Sequence, residues 1–186
     1  MPQTFFDIDE RERLPLEKLT GHGVAFIRLT HPKASTMELC RGIGEEYGAR
    51  HCKNLFLTNK HGNSFFLLLM EPDCSYRTSE VSKKLGSTRL SFGTDEQLCG
   101  TLGLVSGAVS IMGLVNPEAR EAYEAGRLHI AIDSRLLRNE RICVHPNVDT
   151  ATLVVETGEL LRFIAELGYE YSTVEMQACT GGQNAV

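Results

Sequence analysis

Long apolar runs are missing from this 186-residue sequence. The longest, from Phe65 to Met70, is far shorter than the roughly 20 residues that a membrane-spanning helix needs. The first ten residues also lack the basic region and the apolar stretch of a secretory signal peptide. We therefore expect a cytoplasmic protein.

Motifs for metals and nucleotides are absent too. The sequence contains no Cys-x-x-Cys, no His-x-x-x-His, no P-loop and no Gly-x-Gly-x-x-Gly. We therefore expect no metal and no cofactor. The cysteines are widely and irregularly spaced, so we expect them to be reduced and mostly in the core. A nucleophilic Cys52 is the less favoured alternative, because no matching His and Asp signature accompanies it. The six are Cys40, Cys52, Cys74, Cys99, Cys143 and Cys179.

A large basic surface is not expected either. The net charge of -5 argues against wrapping by nucleic acid, which needs a broad basic face. Basic residues nevertheless gather in the middle of the chain, where they could contact a few phosphates or simply form a solvated surface. These are Lys53, Lys60, Arg77, Lys83, Lys84 and Arg89.

Two apolar runs form the centre of the sequence. The run that begins at Lys53 and the run Ser64 to Met70 are joined by the turn signal His61-Gly62-Asn63, which predicts a β-hairpin. The second run has no polar interruption, so we expect a strand buried on both faces in the middle of a sheet. Lys53 and Asn54 stand where the first strand begins and could point along a cleft. The plain alternative is a lysine whose methylenes cover apolar surface.

Capping patterns and periodicity predict the other elements. Helices are expected at 10–19, 36–46, 78–85, 94–103, 117–125 and 158–166, the last capped by Thr157. Strands are expected at 24–29, 88–92, 128–132, 142–144, 151–155 and 169–175, and the glycine-rich stretch 103–113 is expected to be a loop that leads into a strand. This irregular order favours an α+β fold: one domain over residues 1–186, a curved mixed β-sheet flanked by helices, and a flexible tail from about residue 177.

Three segments, taken in order, resemble the YbaK and prolyl-tRNA synthetase-associated editing-domain family. They are Lys53-Asn54-Leu55-Phe56-Leu57, Gly107-Ala108-Val109-Ser110, and His145-Pro146-Asn147 with Thr150-Ala151-Thr152. The similarity extends from about Leu14 to Val174, includes Arg89-Leu90-Ser91-Phe92, and is greatest to the family's free-standing Ala-tRNA(Pro) deacylases.

The resemblance implies a metal-free hydrolase that cleaves the ester between a wrong amino acid and tRNA. In this family Lys53 corresponds to the essential lysine and Asn54 to its neighbouring amide. Gly107 corresponds to the first residue of a Gly-x-x-x-Pro loop, and His145 to a pocket histidine. Two residues depart from the family pattern, because Ile111 replaces the loop proline and Asp149 replaces a frequent asparagine.

The expected roles follow from this resemblance. Lys53 and Asn54 are the expected catalytic residues. The expected substrate-binding residues are Met37, Gly107, Ser110 and His145, with His145 and Met37 as walls that exclude proline and admit alanine. The expected tRNA-binding residues are Lys83, Lys84 and Arg89.

The expected partner is the acceptor end of tRNA(Pro) carrying a wrong amino acid, with transient contacts to prolyl-tRNA synthetase or an elongation factor. The alternatives are an editing enzyme for Cys-tRNA(Pro) or another small amino acid, and a non-catalytic aminoacyl-tRNA-binding regulatory module.

Overall fold

Helices and strands alternate irregularly along residues 8–33 and 42–176, the part of the chain that the computed structural model describes. Its α-helices are α1 (Glu10–Gly21), α2 (Thr78–Lys84), α3 (Asp95–Leu102), α4 (Pro117–Glu124) and α5 (Thr157–Glu166). Its strands are β1 (Phe26–Thr30), β2 (Ala49–His51), β3 (Lys53–Thr58), β4 (Phe65–Met70), β5 (Ser91–Phe92), β6 (Leu128–Asp133), β7 (Arg141–Val144), β8 (Ala151–Glu156) and β9 (Ser172–Val174). These elements confirm the α+β class.

The strands form two mixed sheets instead of a single continuous one. The first has the order β1-β8-β7-β2, and the second has the order β5-β3-β4-β6-β9. The chain passes from the first sheet to the second at Cys52, the one residue between β2 and β3. The end of β2 and the start of β3 therefore lie close together.

The predicted hairpin is the antiparallel pair of β3 and β4. All six residues of β4 are buried, and β4 lies between β3 and β6 in the larger sheet. Both expectations for this strand are confirmed.

The two faces of β4 pack into different cores. Its odd-numbered residues join a large core shared by both sheets and by α1, α3, α4 and α5. Its even-numbered residues join a smaller cluster that includes Val81 of α2 and Leu90. The second sheet is thus covered on both faces, while Leu55 and Tyr76 pack at the margin of the smaller cluster.

Several predicted elements differ from the structure. Residues 111–115 form a 3₁₀ helix, Ile111–Val115, where the loop 103–113 was expected to lead into a strand. The strand expected at 88–92 shortens to β5, and the last strand shortens to β9. Thr157 does not cap α5, because its hydroxyl donates to the Asn139 carbonyl oxygen at 2.6 Å.

Two predicted segments fall largely or wholly outside the described residues. Most of the helix expected at 36–46 does so, and the described part of it is a turn that leads into the 3₁₀ helix Glu45–Tyr47. The tail expected from about residue 177 lies wholly outside. None of the described helices has the length and apolar character needed to span a membrane.

Candidate functional site

His145 follows β7 directly and is held from two sides. Its ring Nδ1–H donates to the Ala151 carbonyl oxygen at 3.0 Å, and its own carbonyl oxygen accepts from the Ser110 hydroxyl at 2.5 Å. Burial lowers the pKa of the ring below its ordinary value, so His145 is neutral at pH 7. Because a carbonyl can only accept, the neutral ring carries its proton on Nδ1, and Nε2 is its acceptor nitrogen.

Two further histidines lie near His145. The His31 ring centroid is 6.4 Å from that of His145, and His31 Nε2 accepts from the buried Thr152 hydroxyl at 2.9 Å. His51 Nε2–H donates to the Ile43 carbonyl oxygen at 2.5 Å. Burial is the main reason that the pKa of His51 is lowered, and repulsion from a protonated His145 or His31 lowers it further. The described residues contain no group of histidine, cysteine or carboxylate side chains placed to hold a metal ion.

Gly107 lies at the edge of the same region, beside Asp149. Its φ of +89° is in the left-handed range that glycine tolerates, and a Cβ there would come within 3.3 Å of Asp149 Oδ2. Asp149 Oδ2 accepts from Lys33 Nζ at 2.8 Å, and this hydrogen bond lowers the pKa of the carboxyl. The aspartate that replaces the family's asparagine at position 149 is therefore neutralised by Lys33, and the two form an ion pair at this edge.

Ser110 positions the loop and His145. It is completely buried, and its Oγ accepts from the Met112 N–H at 3.1 Å while donating to the His145 carbonyl. It thereby caps the 3₁₀ helix whose first residue is Ile111. Proline is favoured at the first position of a helix because the N–H there has no intrahelical partner. The Ser110 cap fixes this turn without proline, and the same hydroxyl holds the backbone of His145. The predicted contact of Ser110 with substrate stays a prediction.

Lys53 and His145 each follow, by two residues, one member of a residue pair in the first sheet. β2 and β7 are parallel, with His51 opposite Cys143. Lys53 lies two residues after His51, and His145 lies two residues after Cys143, so both leave the first sheet at the same end. The Cys52 thiol between them lies 3.5 Å from the Cys143 carbonyl oxygen.

The side chains of Lys53 and Asn54 leave opposite faces of β3. Lys53 is opposite Met70, on the face of the smaller cluster, and Asn54 is opposite Leu69, on the face of the large core. The Asn54 amide oxygen lies 3.7 Å from the Cys52 thiol. Asn54 is therefore directed towards β7 and Lys53 away from it.

The Lys53 ammonium is anchored at the turn after β4. Its Nζ donates to the Cys74 carbonyl oxygen at 2.7 Å. The Cys74 sulfur contacts Arg135 Nη2 at 2.6 Å, and Arg135 forms an ion pair with the fully buried Asp133, also at 2.6 Å. The hydrogen bond to Asp133 raises the pKa of Arg135, so this second cation is permanent. Lys53 is half-buried, and the predicted cleft lysine thus has a fixed partner on its own face of β3.

The three predicted tRNA contacts lie on or after α2. Arg89 and Lys83 are exposed, and Arg89 lines a surface cleft with Thr78, Ser79 and Ser82. Lys84 is partly engaged, because its Nζ donates to the Glu175 carbonyl oxygen and lies 3.6 Å from Glu80.

The structure thus joins Ser110 to His145 by a direct hydrogen bond and places Gly107 beside Asp149. It connects Asn54 to β7 through the Cys52 thiol. Among the described residues no hydrogen bond links Lys53 to these residues. Met37, the other expected pocket wall, lies outside the described residues.

A family model for the aminoacyl-tRNA editing domain matches residues 31–163. The chain belongs to this family. The matched range includes Lys53, Gly107 and His145 together with the histidines around them.

Curated relatives of this editing domain extend over most of the chain. The prolyl-tRNA editing protein ProX of Acetoanaerobium sticklandii is 28% identical over 91% of this chain and 99% of its own length. The prolyl-tRNA synthetase associated domain-containing protein 1 of Xenopus laevis is 26% identical over 75% of this chain and 82% of its own.

A solved structure supports the fold. The crystal structure of "a putative trans-editing enzyme for prolyl tRNA synthetase" superposes with a TM-score of 0.66 over 92% of this chain and 99% of its own, at 16% identity. At that identity the likeness concerns the fold alone.

Sequence reasoning missed several residues around the candidate site. His31 bonds Thr152, and Lys33 pairs with Asp149, and no local pattern marks pairs so far apart in the sequence. Asn147 did carry a signal, since asparagine tolerates the left-handed backbone and here has a φ of +63°. It is 3% exposed, and its side-chain oxygen has no partner among the described residues.

Proposed function

We propose that this protein hydrolyses mischarged tRNA(Pro), with Ala-tRNA(Pro) as its substrate. The observation that supports this most is the similarity to ProX, which extends over nearly the full length of both chains. The neutral, tightly held His145 beside a glycine loop adds to it, because such a site suits a small uncharged side chain.

The reaction needs no protein nucleophile. Water adds to the ester carbonyl carbon, the bond from that carbon to the ribose oxygen breaks, and the ribose oxygen takes up a proton. Free alanine and tRNA result. The neighbouring ribose hydroxyl can orient the water. Cys52 is unsuited to attack, because burial raises the pKa of its thiol to about 12.

Lys53 supplies a fixed positive charge in this proposal. Its ammonium exchanges the Cys74 carbonyl for the terminal phosphate or for the negative charge that develops on the ester oxygen. Asn54, on the other face of β3, bonds the carbonyl or the ribose.

Pocket size provides the selectivity. A synthetase site built for proline cannot exclude alanine efficiently, since one missing methylene is worth only about 1–3 kcal/mol. A second, smaller pocket solves this problem by admitting the methyl group and rejecting the proline ring. His145 is the proposed wall of that pocket, because Ser110 and Ala151 hold it against displacement.

Substitution of Lys53 tests the mechanism. We expect Lys53→Ala to lower the rate of Ala-tRNA(Pro) hydrolysis by about 10²- to 10³-fold, the usual cost of losing one electrostatic contact to a transition state. Lys53→Arg should also be impaired, because a planar guanidinium does not replace a compact ammonium. The measurement is single-turnover deacylation, with circular dichroism as the folding check.

The matched control is Lys18→Ala, which removes an exposed lysine from α1. A folded Lys53→Ala variant that deacylates as fast as the Lys18→Ala variant would rule out the assigned role of Lys53.

A substrate panel tests the function itself. Wild-type protein should hydrolyse Ala-tRNA(Pro) much faster than tRNA(Pro) charged with cysteine, serine or proline. Preference for Cys-tRNA(Pro) would identify an editing enzyme of different specificity. Binding of all four without hydrolysis would identify a regulatory module.

A further inference from the structure

Phe92 is an unusually exposed aromatic residue. Its side chain is 60% exposed at the end of the edge strand β5, and among the described residues it is the most exposed large hydrophobic side chain. It does not stand alone, because its ring lies 5.1 Å from the half-buried ring of Tyr76 at an angle of 45°. The two rings form an aromatic pair, Tyr76–Phe92, that is open to solvent on one side.

The aromatic pair lies on the same face of β3 as Lys53. Phe92 is opposite Leu57 in the sheet, and Lys53, Leu55 and Leu57 alternate onto one face. Tyr76 lies two residues after Cys74, whose carbonyl oxygen accepts from the Lys53 ammonium. Four residues of strand separate Lys53 from Leu57, or about 13 Å. A short single-stranded end could therefore reach both.

Exposed basic residues adjoin this aromatic pair in the sequence although the whole chain is acidic. Arg77 follows Tyr76 directly, Arg89 precedes Phe92 by three residues, and both are exposed. Lys60 lies beside them, because its backbone N–H donates to the Thr88 hydroxyl at 3.3 Å. The first acidic residues after Phe92 in the sequence are Asp95 and Glu96, at the start of α3. The Ser106 hydroxyl donates to Asp95.

This combination matches the chemistry of single-stranded RNA. Proteins bind unpaired nucleotides by stacking the bases on aromatic rings and by placing arginine or lysine against the phosphates. A protein partner would use the apolar area but would not need exposed cations next to it. The charges therefore favour RNA as the occupant.

We propose that Tyr76–Phe92 is a base-stacking platform for the single-stranded 3′ end of the tRNA, with Arg77 and Arg89 on its phosphates. This inference rests on the proposed function, since it assigns to the substrate's acceptor end a contact on the Lys53 side of β3. The platform would hold the end of the strand while the aminoacyl ester lies at the site.

A tryptophan at position 92 reports stacking directly. The natural sequence contains no tryptophan, so Phe92→Trp introduces a single fluorophore. We expect a short RNA ending in CCA to quench its fluorescence, and we expect the same RNA in a blunt duplex to leave it unchanged, because its bases are then covered. Unchanged fluorescence at saturating single-stranded RNA would overturn the proposal.

Two further variants, compared with Phe92→Trp, separate stacking from apolar contact. Phe92→Leu keeps an apolar side chain without a π face and should weaken single-stranded RNA binding about 5- to 150-fold, the range for one stacked base. Phe92→Trp should bind like wild type. Tyr76→Phe should also bind normally, because the Tyr76 hydroxyl it removes is buried and has no partner among the described residues.

The outcomes distinguish this inference from the function on which it rests. If wild-type protein deacylates Ala-tRNA(Pro) while Phe92→Leu binds RNA normally, the platform is wrong and the function stands. If RNA quenches the Phe92→Trp variant but no charged tRNA is hydrolysed, the platform stands and the function is wrong. Sedimentation that shows a dimer lost in Phe92→Leu, with RNA affinity unchanged, would assign the aromatic pair to self-association and overturn the platform.

Discussion

His145 contributes shape and a neutral acceptor, not charge, to the candidate site. Its pKa is lowered by burial, and its ring orientation is fixed by the bond from Nδ1 to Ala151. A ring held in this way can discriminate by size, because displacing it would break that bond and the contact of its backbone with Ser110. Pro146, the next residue, restricts the backbone of His145 further.

We predict that His145→Ala lowers the hydrolysis rate of Ala-tRNA(Pro) and narrows the margin against Pro-tRNA(Pro). The smaller side chain enlarges the pocket, so alanine is held less firmly and proline is excluded less well. Paired rate measurements on the two substrates test this. His61→Ala, in the exposed hairpin turn, is the control. If the Ala-tRNA(Pro) hydrolysis rate and the ratio of the Ala to the Pro rate both equal those of the control, His145 is not part of the site.

Sequence patterns indicated Lys53, Gly107 and His145, but not how their side chains are arranged. Adjacent residues of a strand point to opposite faces, so Lys53 and Asn54 leave β3 on opposite faces where it pairs with β4. The Lys33–Asp149 ion pair joins segments more than a hundred residues apart, and only the folded chain brings them together.

At the level of elements, local signals were reliable where capping chemistry was complete. The capping box of Thr94 and Gln97 predicted α3, and both of its hydrogen bonds are present. The prediction after Ser110 was wrong, because the apolar residues there suggested that the loop leads into a strand. The Ser110 cap and the tight packing of Gly113, where a Cβ would come within 2.7 Å of Leu104, favour a compact turn instead.

The glycine loop gives the clearest prediction at this level. We expect Gly107→Ala to destabilise the protein by about 1–3 kcal/mol, because a non-glycine residue is strained at a φ of +89°. We also expect weaker editing, since the new Cβ would crowd Asp149 and shift the Lys33 ion pair. Urea denaturation and the deacylation rate measure the two effects.

Gly100→Ala in α3 is the matched control for this loop variant. Nothing lies within 4 Å of a Cβ at that helical position, so alanine should be neutral or slightly stabilising there. A Gly107→Ala variant as stable and as active as the Gly100→Ala variant would show that the loop does not depend on its left-handed backbone.

At the scale of the whole molecule, the division into two sheets was not predictable from the pattern of strands. Strand order depends on which edges pair, and the sequence does not encode that locally. The chain changes sheets at Cys52, because β2 pairs with β7 in one sheet and β3 pairs with β4 in the other. Residues from both sheets meet there, which explains why Lys53, Asn54 and His145 leave the same region.

The buried histidines should make the stability of the whole molecule depend on pH. The pKa values of His51 and His145 are lowered in the folded state from the ordinary value of 6.5. Well above pH 6.5 both rings are neutral in the folded and the unfolded chain, so their contribution there is constant. As the pH falls towards and below 6.5, the unfolded chain binds protons that the folded chain does not, and the free energy of unfolding decreases.

We therefore predict that urea unfolding between pH 8 and pH 5 shows a plateau above about pH 7.5 and a decline as the pH falls below that. Each histidine can contribute at most about 1.4 kcal/mol per pH unit. Carboxyls with lowered pKa values, such as Asp149 and Glu166, begin to lose their contributions only nearer their ordinary values of 3.8 and 4.5, so they fall mostly outside this window. His145→Ala should show a shallower decline than His61→Ala. A free energy of unfolding that stays constant down to pH 5, or a decline equally steep in both variants, would show that burial of His145 does not set this dependence.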